Sequence, residues 1–161
     1  MEARQWNIII PIRPKAVQST RGDRGGFHVD PKVRKWKNSI LPYIKAAAPA
    51  EPSPLPIWLK RVRYVYKVPK DTRKSVLRYL EAGGEIPYMV AGDLTDNLAK
   101  GLVDCCKGLI FTDDKNIVWM DNARKVYGLS DRIEITFEEL PGLMLVDGTM
   151  AGGTADSGTF V

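Results

Sequence analysis

The chain has 161 residues, with 24 Lys and Arg against 19 Asp and Glu, a formal net charge of +5, one His and two Cys. That length suits one domain whose core forms without disulfides or a structural metal, and a zinc site is not expected because Cys105 and Cys106 are adjacent and His28 stands alone. No run approaches the roughly 20 apolar residues of a membrane span and no basic-then-apolar leader opens the chain, so a soluble cytoplasmic protein is expected.

In chain order, residues 6–12 form a β-branched apolar run, which predicts a strand buried on both faces. Residues 13–29 are polar, basic and Gly-rich and read as a loop. Asp30 and Pro31 supply an N-cap and a first helical residue. The helix that follows puts Val33, Trp36, Ile40, Tyr43 and Ile44 on one face, and Pro42 should kink or divide it. A Pro-rich connector, 48–56, leads into an alternating strand, 57–68. A short helix over 71–81, capped by Asp71, stops at Gly83-Gly84. Thr95 or Asp96 caps a further helix that runs to Lys107 and ends at Gly108, with Leu98, Leu102, Cys105 and Cys106 as its apolar face. Residues 117–127 and 132–137 read as two strands joined by a turn, and 141–161 as a flexible Gly/Thr/Ser-rich tail behind a domain of residues 1–140. The order predicts a single α/β (α+β) domain with a mixed or mainly antiparallel sheet packed with helices.

The modest net charge hides a division. Residues 1–37 carry a net of +6 and residues 60–78 a net of +7, whereas residues 79–114 carry −5. Two basic stretches therefore flank an acidic centre dominated by Asp, the layout expected of a protein that acts on phosphodiesters. Arg13, Lys15, Arg21 and Arg24 in the first stretch, and Lys60, Arg61 and Arg63 in the second, are candidate contacts to DNA phosphates. Trp36, Trp58 and Trp119 read as core residues.

In the acidic centre, Asp93 lies in a loop after Gly92 and Asp96 at a helix start. Lys100 and Asp104 follow Asp96 at i+4 and i+8 on one helix face, and Asp113-Asp114 opens the segment before the next strand. Each acid has an ordinary reading of its own: N-cap, surface ion pair, turn residue. Together they offer hard oxygen donors for Mg²⁺, which takes one or two carboxylates at about 2.0–2.1 Å, plus waters and phosphate oxygens. Such an ion activates water and neutralises charge on a scissile phosphate, and Lys100 is placed to meet a phosphate as a point charge. Similar acidic trios serve polymerases, phosphatases and structural calcium sites.

The segment GDLTDNLAKGLVDCCKGLIFTDDKNIV, residues 92–118, resembles the core motif of the RusA-type Holliday-junction resolvases, including phage-borne members. Asp96-Asn97-Leu98, Lys100, Asp104 and Asp113-Asp114 followed by Ile117-Val118 match that motif. Residues 8–21 are similar to the family's opening strand and basic loop, and residues 28–40 to its first helix. The family spaces its first two aspartates as D-x-D, whereas two residues, Leu94 and Thr95, separate Asp93 from Asp96 here. The resemblance implies a homodimeric, Mg²⁺-dependent endonuclease, with Mn²⁺ able to substitute, that nicks opposing strands of a four-way DNA junction in recombination and repair. It implies Asp96 and Asp114 as metal ligands with Asp93 as a third, Lys100 at the scissile phosphate, and Asn97, Asp104 and Asp113 in support. Two other readings stay open: a junction-binding protein of the same fold with weakened catalysis, and a small metal-dependent nucleotide phosphohydrolase.

Overall fold

A computed structural model describes residues 2–17, 21–23 and 26–153. Its first strand, β1 (Gln5–Ile10), alternates strictly, with Trp6, Ile8 and Ile10 buried and Ile9 66% exposed. The expectation of a strand covered on both faces is corrected. β1 is an edge strand with a single partner, and only its inward face meets the helices. Residues 13–29 are not loop throughout. Within them β2 (Arg21–Asp23) and β3 (Gly26–His28) pair as a two-stranded antiparallel ribbon.

Helix α1 (Pro31–Ala47) starts where the sequence predicts, with the Asp30 carboxylate accepting from the Lys32 N–H at 2.8 Å. It buries Val33, Trp36, Ile40 and Ile44 and runs through Pro42 as one element. A mid-helix proline costs about 3 kcal/mol, while four buried side chains of this size contribute on the order of 6–12 kcal/mol as an upper bound, so packing wins. Pro42 itself faces solvent.

β4 (Ile57–Lys67) is the central strand. Its register shifts between Leu59 and Arg61, so Leu59 and then Val62, Tyr64 and Tyr66 face the helices. The next helix, α2 (Lys74–Glu81), buries no residue, and its N-cap is Arg73 rather than Asp71. After β5 (Ile86–Pro87) comes α3 (Asn97–Cys106), which buries Leu98, Leu102, Cys105 and Cys106 and ends with Gly108 at φ +78°.

The strand expected over 117–127 is two strands, β6 (Ile117–Met120) and β7 (Ala123–Gly128). Both lie parallel to β4 on the same side, one beside each half of it. The break follows the bulge in β4, with Asn122 at φ +50°. β8 (Arg132–Glu139) lies antiparallel to β4 on its other side and pairs with β1. The sheet is therefore mixed and six-stranded, in the order β1-β8-β4-β7-β5 with β6 also on β4. Residues 129–131 cross the end of β4, held where the Asp131 carboxylate accepts from the Lys67 N–H at 2.8 Å.

α1 and α3 pack together over one face of the sheet and enclose the core. The other face carries ion pairs. Of the region expected as a tail, residues 142–151 form a turn with backbone bonds from Gly142 to Ala151 and from Ala151 to Leu143, each 2.8 Å. Residues 154–161 lie outside the described residues. No helix among the described residues is long and apolar enough to cross a membrane.

Candidate active site

Three segments meet around the start of α3. The loop after β5 brings in Asp93, and the helix supplies Asn97 and Lys100. The third segment is the basic loop after β1, whose Val17 N–H donates to the Asn97 carbonyl at 3.0 Å. Gly101 makes that approach possible. A Cβ there would lie 2.4 Å from Val17 Cγ2 and 3.3 Å from the Trp36 ring. The indole of Trp36 donates to the Arg13 carbonyl at 2.9 Å, so α1 also holds the loop.

The extra residue between Asp93 and Asp96 is absorbed by a turn. Asp93 Oδ1 accepts from the Thr95 N–H at 2.9 Å and from the Thr95 hydroxyl at 2.7 Å. Asn97 reaches back, its Oδ1 accepting from the Asp93 N–H at 2.7 Å, and the Leu98 N–H donates to the Asp93 carbonyl at 3.1 Å. Lys125 on β7 braces the same loop by donating to the Gly92 carbonyl at 2.6 Å. The Thr95 hydroxyl, then its N–H, hold the exposed Asp93 carboxyl below the usual carboxylate range, and Lys125 adds to the effect.

Asp96 is the N-cap residue of α3, but its side chain makes no capping bond. Its carbonyl accepts from the Lys100 N–H at 2.9 Å, which sets Lys100 one turn further on. Asp104 does not pair with Lys100 across i,i+4; it meets Lys37 of α1 at 3.3 Å. Asp113 and Asn116 close a reciprocal capping box around the 3₁₀ turn Asp114–Asn116, and Lys107 approaches Asp113 at 3.1 Å. A hydrogen bond from the Asp114 carboxyl, then one from the Lys107 ammonium, bring Asp113 down to about 2.

The structure does not assemble Asp93, Asp96 and Asp114 into a three-carboxylate cage. Among the described residues no group of three His, Cys, Asp or Glu lies close enough to hold one ion. The physical reasons are local: Asp93 is engaged by Thr95, and Asp114 lies against Asp113. The donors still suit a hard divalent cation, which needs only one or two protein carboxylates and completes its shell with water and phosphate oxygens.

The basic candidates divide in two. Arg13 pairs with Asp131 at 2.9 Å and lies 5.1 Å from the Tyr66 ring centroid, while Lys15 lines the same concave surface. Arg21 falls on β2, and its side chain and Arg24 lie outside the described residues. Those on β4 sit on the ion-paired sheet face, with Lys60 on Glu138 and Arg61 on Glu134, each at 2.9 Å. Arg63, expected to face DNA, is corrected to a structural role. Its side chain is 9% exposed and donates to the Asn122 carbonyl at 2.7 Å and to Asn122 Oδ1 at 2.9 Å. It thereby fixes the break between β6 and β7. The tryptophan expectation also divides. Trp36 is buried, whereas Trp119 is 47% exposed and meets half-buried Trp58 edge to face.

Lys37, Lys107, Asn116 and Lys125 shape the site and were not among its expected residues, and Thr95, expected as a helix cap, instead holds the Asp93 carboxylate. For Thr95 the signal was present, since Asp-x-Thr is a turn pattern. The others act through tertiary contacts that no local spacing reports.

The fold is thus a small α+β domain with an acidic helix start beside a basic loop. The chain belongs to the RusA endodeoxyribonuclease family, whose pattern it matches over residues 10–138. It is thus a nuclease of the Holliday-junction resolvase type, a family that acts on branched DNA with divalent metal. No curated protein matches the chain.

Proposed function

We propose that this protein is a Mg²⁺-dependent endodeoxyribonuclease that resolves four-way DNA junctions by paired symmetric nicks in the cytoplasm. Two copies would act together, because two like strands need two like sites. The observation that supports this reading is the junction of the basic loop at 13–17 with the start of α3, the helix with Asp96 at its N-cap and Lys100 one turn on.

One or two of Asp93, Asp96 and Asp114 would hold the metal, with water and phosphate oxygens completing its shell. When bound, it would supply a Lewis acid for the phosphoryl oxygens and lower the pKa of a water. The chain's own residues do the rest. Thr95, Asn97 and Lys125 fix the loop that carries Asp93. Lys100 offers a positive charge to the scissile phosphate, and Arg13 and Lys15 hold the flanking backbone. Lys107 and Asn116 fix Asp113 and thereby the turn that carries Asp114.

The test is cutting of a synthetic four-way junction in Mg²⁺, with linear duplex as the comparison. Asp96→Asn and Asp114→Asn should each retain junction binding and lose at least the roughly 10²–10³-fold that removal of one transition-state contact costs. Unchanged cutting by either variant refutes the assignment. A second reading, a junction-binding protein with weak catalysis, draws on the Thr95 bonds to Asp93. It predicts tight binding and no nicking by the wild type.

A further inference from the structure

The first basic stretch gathers part of its charge around one concave surface. Arg13, Lys15, Lys32 and Lys35 surround a concavity of about 550 Å³, with Trp36 and Ser39 on its wall. No acid lines it among the described residues. Lys32, Lys35, Trp36 and Ser39 follow the i, i+3, i+4, i+7 stripe of α1, so the two lysines stand one turn apart on one helix face. Neither lysine makes a side-chain hydrogen bond or ion pair among the described residues.

Their position breaks a local rule. The N-terminal end of a helix carries partial positive charge and favours acids, yet the first turn of α1 contains none and places Lys32 there. The Asp30 carboxylate at the N-cap offsets part of that mismatch through the Lys32 N–H, but the Lys32 ammonium itself meets no acid among the described residues. A polyanion would meet the two lysines and the loop cations together. By contrast, Lys37 on the same helix is used internally, against Asp104.

We infer that this concavity is the track for the phosphate backbone of one duplex arm, with Lys32 and Lys35 as contacts that lead the arm to the start of α3. The inference rests on the junction-nuclease reading and adds to it the path of the substrate. The loop wall is held in place before DNA arrives: Trp36 is bonded to the Arg13 carbonyl, Arg13 to Asp131, and Val17 to Asn97. The same bonds join the track to the acidic helix start. A groove of this size, with cations along its length, suits a chain of phosphates better than one small anion.

The experiment is a fluorescence-anisotropy titration of a labelled four-way junction at several salt concentrations, with the metal replaced by EDTA. Lys32→Gln/Lys35→Gln removes two contacts without adding repulsion. It should flatten the slope of log K against log salt by about 1.8, because each phosphate contact contributes about 0.9. Affinity at low salt should fall about tenfold or more. Lys32→Arg/Lys35→Arg should keep the slope. Lys45→Gln/Lys74→Gln, a charge-matched pair outside the concavity, should bind as the wild type does. A wild type that binds the junction with a slope equal to that of Lys32→Gln/Lys35→Gln overturns the inference alone. A wild type that binds no junction overturns the junction reading and the inference with it.

Discussion

Gly101→Ala should destabilise the protein, although Ala is the better helix former. In an open helix the change gains about 0.8–1.0 kcal/mol. Here the new Cβ would lie 2.4 Å from Val17 Cγ2. Carbon atoms rest at about 3.5–4.0 Å, so something must move by more than about 1 Å. Val17 has nowhere to go. It is 5% exposed, its β-branched side chain is stiff, and its N–H is tied to the Asn97 carbonyl at 3.0 Å. Overpacking of this kind costs about 1–3 kcal/mol, and the rigidity of Val17 argues for the upper half of that range. The net expectation is a loss of about 1–2 kcal/mol, or roughly 2–8 °C in Tm. The assay is urea or thermal unfolding of Gly101→Ala, Val17→Ala and the double variant. With Val17 truncated, the alanine at 101 should turn neutral or stabilising, giving a coupling well above the roughly 0.5 kcal/mol within which independent sites add. A Gly101→Ala protein as stable as the wild type, or a coupling within that scatter, refutes the close-approach argument. If the argument holds, the single variant should also bind junctions more weakly, since the displaced loop carries Arg13 and Lys15.

Glu139 is 2% exposed and joins the end of β8 to Arg4 at 2.6 Å and to Ser53 at 2.6 Å. Burial pushes its carboxyl up, but the Arg4 guanidinium and the Ser53 hydroxyl outweigh burial and hold it below its ordinary value. A depressed carboxyl stabilises the fold above its unfolded pKa, about 4.3, and that contribution is lost as pH falls through the lower folded value. Glu139→Gln should therefore cost roughly 1–3 kcal/mol at neutral pH, moderated by half-exposed Arg4, and the gap in Tm from the wild type should close below about pH 4. A gap that persists at low pH contradicts the ion-pair account. Arg63→Ala should lower stability by roughly 2–3 kcal/mol, since it strips two bonds from Asn122, while the salt dependence of DNA binding stays unchanged. A flatter salt slope would restore Arg63 to the DNA surface.

The elements were legible where local physics decides them. Asp30-Pro31 announces the start of α1, and Gly108 ends α3 as its spacing predicts. The motif around Asp96 was also legible, because the family match depends on residue identity and not on packing. Other features depend on partners far along the chain. The split of 117–127 answers a bulge in β4 some 60 residues earlier, and no pattern within β6 or β7 encodes it. Strand β1 reads as doubly buried because Ile8, Ile9 and Ile10 are consecutive, yet an edge position leaves Ile9 in solvent. Asp104 and Lys100 share a helix face, but the stronger claim on Asp104 comes from Lys37 on α1.

The division of charge is the clearest case of sequence information that needs a fold to interpret it. The stretches 1–37 and 60–78 carry nearly equal net charge, +6 and +7, and by sequence alone they are equivalent candidates for DNA. The bulge between Leu59 and Arg61 turns both Lys60 and Arg61, and alternation turns Arg63, to the face that β8 lines with Glu134 and Glu138, with Glu85 alongside. Those acids lie outside the counted stretch, so Lys60, Arg61 and Arg63 are paired by neighbours the count omits. The first stretch has such neighbours too: Glu139 takes Arg4, Asp131 takes Arg13 and Asp104 takes Lys37, while Lys32 and Lys35 remain on an open helix face. A phosphate surface is therefore set by where unpaired cations come together, and Lys32 and Lys35 do so with Lys15 and Arg13 of the loop that is bonded to the start of α3.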